Sequence, residues 1–220
     1  MSRPGGDRNA PHDPEWDSLW HTLEARPEPK RERTVQTPAT RSSRLGASAS
    51  GASPGPALAD AAPMANGLAL VIRTDGAARG NPGPASLGAV LVDAAVPNAR
   101  RPDAPPLASI SEYLGVQTNN VAEYTAVVRA LALAEELGAT AVDMLLDSKL
   151  IVEQVNGRWK VKDAKLIPLH ADVRARLGRF GRWSATHVPR SQNKQADALC
   201  NQAIDRAQAG GAKAVVVRPR

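Results

Sequence analysis

The chain has 220 residues and a single cysteine, Cys200, which excludes an internal disulfide framework and a multi-cysteine zinc site. No apolar run approaches the roughly 20 residues that a membrane span requires. The opening residues, MSRPGGDRNAPHDPEW, lack the apolar core of a secretory signal. These absences favour a cytoplasmic protein with no membrane role. Cys200 falls in a helical stretch and reads as a buried, inert thiol.

What the chain does have is positive charge, +6 overall with a sequence pI near 9.9. Residues 1–66 hold eight Lys/Arg and eight Asp/Glu, so the excess belongs to the remainder. Arg158 to Lys194 alone carries ten basic residues against two acids, Asp163 and Asp172. A local excess of that size suits either a solvated basic face or a polyanionic partner.

Residues 1–66 also hold nine of the 18 prolines and the low-complexity run RLGASASGASPGPALADAAP, so a disordered tail is expected there. Within it, residues 13–26 have the pattern of a short amphipathic helix. Asp13 can cap it, and Trp16, Leu19, Trp20 and Leu23 fall on one face. That stripe is a candidate docking element for a protein partner.

A folded domain is expected from 67 to 208, followed by a flexible C-terminal tail from 209 to 220. LALVIRTD (68–75), SLGAVLVD (86–93) and ASISEYLG (108–115) read as three strands separated by turn-rich segments. TNNVAEYTAVVRALALAEELG (118–138) reads as a long helix, with Asn119 or Asn120 as its cap and Gly138 at its stop. A strand at 141–146, a short helix from Asp147, a helix at 167–180, a strand at 182–188 and a helix at 193–208 complete the order β-β-β-α-β-α-α-β-α. A meander followed by alternating units predicts an α/β fold, with a five-stranded mixed sheet and helices on both faces.

Four acids occupy telling places. Asp75 ends the first strand and Asp147 the fourth, so neighbouring parallel strands would bring both carboxylates to one sheet edge. Glu123 lies in the first turns of the long helix and Asp197 in the first turn of the last. Helix-dipole and capping roles account for each acid singly. The four together are what points to chemistry.

The segments around these acids resemble type 1 ribonuclease H. TDGAARGNPGPASLGAVL is similar to the opening motif of that family and TNNVAEYTAV to its Thr-Asn-Asn…Glu segment. LLDSKLIVEQVNG matches its Asp-Ser strand end, and HVPRSQNKQADALCNQAI its closing Asn-x-x-x-Asp helix. The four matches arrive in the family's order and span residues 68–208. At average composition, four required acids coincide by chance on the order of once in several thousand. The resemblance implies a ribonuclease H-like fold and an endonuclease that hydrolyses the RNA strand of RNA–DNA hybrids, leaving 5′-phosphate and 3′-hydroxyl ends. It implies two Mg²⁺ ions, with Mn²⁺ able to substitute, held by Asp75, Glu123, Asp147 and Asp197. Hard carboxylate oxygens suit Mg²⁺, and a metal pair can both activate water and hold a departing oxygen.

His187 precedes Asp197 by ten residues, the spacing at which bacterial members place a mobile catalytic histidine. Its strand-like context, SATHVPR, favours a structural role instead, and Arg190 is the alternative for offsetting phosphate charge. Gly76, Asn81, Asn119 and Asn120 match family positions that read sugars and minor-groove edges. Thr118 matches a DNA-phosphate contact, and Trp159 with the basic run would support the DNA strand. VNGRWKVKDAKLIPLH replaces the family's basic protruding helix with a compact loop, as in the archaeal-like and actinobacterial forms. Some actinobacterial relatives carry a C-terminal acid phosphatase domain; none is expected in this chain. A monomer is expected.

Other readings make different demands. A catalytically silent nucleic-acid-binding module on the same fold would lack at least one carboxylate. A proofreading exonuclease would need Asp-x-Glu, where Asp75 is followed by Gly76 and Ala77. A scaffold protein acting through the Trp16–Leu23 stripe would keep its function after Asp75→Asn.

Overall fold

The computed structural model describes residues 67–219. The segment 1–66, including the stretch 13–26 with Trp16, Leu19, Trp20 and Leu23, lies outside the described residues. The chain runs β1 (Leu68–Ala78), β2 (Gly83–Asp93), β3 (Ala108–Gln117), α1 (Asn119–Glu136), β4 (Ala139–Leu146), α2 (Lys149–Val155), α3 (Leu166–Leu177), β5 (Arg182–His187), a 3₁₀ turn (Arg190–Gln192), α4 (Lys194–Gln208) and β6 (Ala214–Val217). The sheet order is β5-β4-β1-β2-β3-β6. β1 is parallel to β4 and β4 to β5, whereas β1, β2, β3 and β6 pair antiparallel.

β1 is covered on both faces, which is why LALVI reads as a continuous apolar run rather than an alternating one. Leu70 and Ile72 join the larger core with Leu87, Ala89 and Leu91, beneath α1. That helix presents Ala126, Val127, Ala130, Leu131 and Ala134, and its small residues let it lie close to the sheet. α2 and α3 add Ile151, Val155, Val173 and Leu177 to the same core. On the opposite face Val71, Val90, Val92, Leu145 and Val188 form a smaller core, with Leu199 of α4 packed against it. Cys200 is fully buried there, its backbone carbonyl accepting from Ser86 Oγ at 2.7 Å. Burial pushes its thiol up to about 12, in keeping with an inert role.

Two expectations need correction. The sheet has six strands, not five, because residues 214–217 are not a loose tail. Ala214–Val217 pairs with β3, and Val216 packs against the larger core. Arg206 fastens the connection by donating to Ala212 O and Ser111 O, each at 2.7 Å. The second correction concerns the cap of α1, which is Thr118 rather than Asn119 or Asn120. Its backbone is extended and its hydroxyl accepts from Val121 N at 3.4 Å. This leaves the Asn119 side chain available for other work.

Candidate active site

The strand register does the first part of the assembly. The parallel β1–β4 pairing includes Ile72↔Met144, and three residues further along each chain stand Asp75 and Asp147. The expectation that these strands are parallel neighbours holds. Asp75 also pairs across to Gly88 on β2, and here β1 continues three residues beyond it, to Ala78.

Two glycines bring in the other acids. A Cβ on Gly76 would stand 2.2 Å from Glu123 N, so the first turns of α1 press against β1 only because that side chain is missing. A Cβ on Gly88 would stand 2.1 Å from Ala196 O, so α4 approaches the opposite face in the same way. Asp75 thus has Glu123 arriving over its neighbour and Asp197 arriving over its cross-strand partner.

Hydrogen bonds then orient three of the four carboxylates. Asn193, fully buried at the start of α4, donates from Nδ2 to Thr74 O and to Asp147 Oδ1, both at 2.8 Å. Asn119 donates to Glu123 Oε1 at 2.8 Å, while its Oδ1 accepts from Ala78 N at 3.3 Å. Ser148 also hydrogen-bonds Glu123 rather than capping α2. Arg190 donates to Asp197 Oδ1 at 2.6 Å from an exposed position.

The electrostatics follow from this crowding. Burial, followed by the charges of Asp147 and Asp197, raises the Asp75 carboxyl to about 6, with Glu123 adding less and Arg190 opposing. Burial also raises Glu123, against its hydrogen bond from Ser148. Asp75 Oδ2 is buried with no hydrogen-bond partner. A desolvated carboxylate oxygen without a donor, among further hard oxygen donors, fits a divalent cation. Among the described residues, however, no three acidic, imidazole or thiol groups are gathered tightly enough to hold a cation as they stand. Asn193, Asn119 and Arg190 each engage one carboxylate, so the acids converge without closing on one point.

The other expected residues divide. Asn81 Oδ1 accepts from Asn119 N at 3.3 Å, joining the Gly-rich turn to the start of α1. Asn120 is exposed beside it. His187 is exposed at the end of β5, opposite Leu146 in register and therefore next to the strand end that bears Asp147. Trp159 is 48% exposed on the loop between α2 and α3, alongside exposed Lys160, Lys162 and Lys165. The basic run is not one patch, because Arg158 pairs with Glu153 and both Arg176 and Arg179 pair with Glu135. Sequence reasoning missed Asn193 as a site residue, although it opens the Asn-x-x-x-Asp motif. It also missed Gly88, whose role depends on cross-strand register.

Comparison with known proteins agrees with this arrangement. The model of the family described as "Reverse transcriptase-like" matches residues 73–203, more than half of the chain. The Bifunctional protein Rv2228c of Mycobacterium tuberculosis is 44% identical over 140 residues, which is 64% of this chain and 36% of that protein. The chain therefore spans about a third of the length of its mycobacterial relatives. A Ribonuclease H of Polaromonas naphthalenivorans is 33% identical over 158 residues, covering 63% of this chain and 88% of the relative. Among solved structures, LC11-RNase H1 in complex with an RNA/DNA hybrid aligns with a TM-score of 0.57 at 39% identity, over 63% of this chain and 99% of that one. The matched residues 73–203 include all four carboxylates, and the chain covers 88% of the Polaromonas ribonuclease H at 33% identity, so it belongs to the reverse-transcriptase-like family and to the ribonucleases H.

Proposed function

We propose that this protein is an endonuclease that hydrolyses the RNA strand of RNA–DNA hybrids, with two Mg²⁺ ions as cofactor and Mn²⁺ able to substitute. The observation that carries the reading is the convergence of Glu123, Asp147 and Asp197, from three distant parts of the chain, on Asp75, whose Oδ2 is buried and unpartnered. The relative bound to an RNA/DNA hybrid supports the choice of substrate.

When bound, the metal pair supplies an activated water and charge neutralisation at the departing 3′ oxygen, which leaves 5′-phosphate and 3′-hydroxyl ends. The chain's own residues hold and aim that chemistry. Asp75, Glu123, Asp147 and Asp197 would hold the ions through their carboxylate oxygens. Asn193 fixes the rotamer of Asp147, and Asn119 fixes that of Glu123. Such partners matter because ligands held loosely lose both affinity and rate. Arg190 is different: it pairs with Asp197 and, once a cation takes that carboxylate, can turn from its exposed position toward a phosphate. His187, exposed opposite Leu146 at the end of β5, would assist product departure.

Recognition falls to the end of β1 from Gly76 and the turn after it, through Asn81, with Asn119 and Asn120 at the start of α1, where sugars and minor-groove edges would lie. Thr118, Trp159 and the exposed lysines beside it support the DNA strand. Phosphate contacts of this kind make affinity fall steeply with salt.

The test is a labelled hybrid incubated with Mg²⁺, compared across the wild type, Asp75→Asn and EDTA. The expected result is cleavage of the RNA strand in the first case alone. Cleavage that survives either the substitution or the chelator refutes the reading.

A further inference from the structure

Arg73 stands two residues before Asp75 on the same face of β1, and it is 2% exposed. A buried guanidinium in the middle of a central strand is expensive, and an apolar side chain of similar volume often stabilises such a place better. The fold alone therefore does not account for it. Its neighbours do. Arg73 Nε donates to Gln192 O at 3.1 Å, and the guanidinium also donates to Arg100 O. Asp143, fully buried on the adjacent strand β4, supplies the counter-charge nearby, itself bound by Arg100 and Ser184.

Gln192 O belongs to the peptide that joins Gln192 to Asn193. The N–H of the same peptide donates to Arg190 O at 2.9 Å. One end of this peptide is thus fixed by Arg73 and the other by the 3₁₀ turn. The orientation of the peptide sets where Asn193 leaves the backbone, and Asn193 holds Asp147. The same turn carries Arg190, which holds Asp197. Two of the four carboxylates therefore take their placement from a turn that Arg73 anchors.

From this geometry we infer that Arg73 is a positioning residue for the hydrolysis: it acts through the Gln192–Asn193 peptide to aim Asn193 at Asp147 and to place Arg190 beside Asp197. The inference rests on the nuclease reading for its effect on rate, but its structural half stands independently. Loosening the turn leaves the hybrid-binding surface of α1 and the Gly-rich turn in place, so turnover should suffer and substrate affinity should not.

The experiment compares the full-length wild type with Arg73→Met, Arg73→Lys and Val173→Ala. The last truncates a fully buried core residue of α3, away from the turn. Two measurements are made: steady-state kinetics on a hybrid at saturating Mg²⁺, giving kcat and KM, and solvent exchange of the Asn193 side-chain amide protons by NMR in metal-free protein. Arg73→Met is expected to lose at least about tenfold in kcat with KM within about twofold, and to exchange the Asn193 protons at least about tenfold faster. Arg73→Lys keeps one donor for one carbonyl and should fall between. Val173→Ala should lower the melting temperature while matching wild type in both readings. The proposal is overturned if Arg73→Met keeps wild-type kcat and Asn193 exchange, or if Val173→Ala reproduces its losses. Should Arg73→Met fail to melt cooperatively, Arg73→Lys decides by the same criteria. If the wild type cleaves no hybrid, the nuclease reading fails while the exchange comparison still judges Arg73.

Discussion

Arg190 donates to Asp197 Oδ1 at 2.6 Å, so a guanidinium engages one of the carboxylates proposed to hold the cation. The pair is largely exposed on the Arg190 side, and it is held by local geometry rather than by burial. A divalent cation must compete with this arginine for Asp197. Arg190→Ala should therefore strengthen Mg²⁺ binding to the free protein by about threefold, measured by calorimetry. The same change should lower kcat on hybrid by about tenfold, because a cation positioned near the phosphate is lost. His187→Ala should lower kcat without changing Mg²⁺ binding. Weaker metal binding in Arg190→Ala would show that the arginine organises Asp197 for the metal instead of competing for it.

Asp75 leads to a prediction about stability. Its carboxyl is raised to about 6 by burial and by Asp147 and Asp197, so the folded state holds a proton on it more readily than the unfolded chain does. The stability this group contributes is complete below the ordinary carboxylate range and is lost as the pH rises through about 6. In EDTA at pH 7, Asp75→Asn should therefore melt above wild type, by roughly 3–8 °C. The gap should shrink as the pH is lowered toward 4. Mg²⁺ should raise the melting temperature of the wild type but not of the variant. A variant that melts below wild type in EDTA at pH 7 would remove the case for a strained cluster.

How much of this site was readable in the sequence depends on the physics behind each part. Asp75 and Asp147 were legible because apolar strands and their parallel pairing follow from hydrophobic patterning, although β1 runs on to Ala78 and only Asp147 stands at a strand end. Glu123 and Asp197 were legible because helix starts carry caps and because their flanking motifs resemble a known family. Gly88 was not, since only the Asp75↔Gly88 register shows that its missing side chain admits α4. Arg73 was hidden for a similar reason: a charged residue in an apolar run looks like an exposed strand position until its partners on β4 and the 3₁₀ turn are seen. Residues 214–217 were misread because three valines after a Gly-Gly pair resemble a tail as much as an edge strand. Pairing with β3 is a long-range contact that no local pattern announces.

The two close approaches can be tested by adding one carbon atom. At Gly76 the new Cβ would lie 2.2 Å from Glu123 N, and at Gly88 it would lie 2.1 Å from Ala196 O. Both obstacles are backbone atoms in helices, so relief requires a helix to shift as a body. Gly76→Ala and Gly88→Ala should each cost about 1–3 kcal/mol or more in denaturant melts. Activity should fall further than stability alone explains, because Gly76→Ala displaces Glu123 and Gly88→Ala displaces Asp197. Gly178→Ala, at the end of α3 with 3.4 Å to its nearest neighbour, serves as the comparison and should be close to neutral. Equal behaviour of all three variants would mean that the helices do not rest on these glycines.

The sixth strand gives the last test. Val216 faces the larger core from the sheet edge, while Val215 and Val217 point away and are 41% and 55% exposed. Backbone pairing with β3 is common to all three, so only the side chains distinguish them. Val216→Asp places a charge against apolar side chains and should destabilise the protein by about 1–3 kcal/mol in a denaturant melt. Val215→Asp and Val217→Asp should stay within about 0.5 kcal/mol of wild type, as exposed substitutions do. Hydrogen exchange at Val215 and Val217 should accelerate in Val216→Asp, because the strand loses the anchor that holds it on β3. If instead Val216→Asp melts with wild type, residues 214–217 are a tail that merely rests on the sheet, and five strands suffice for the fold.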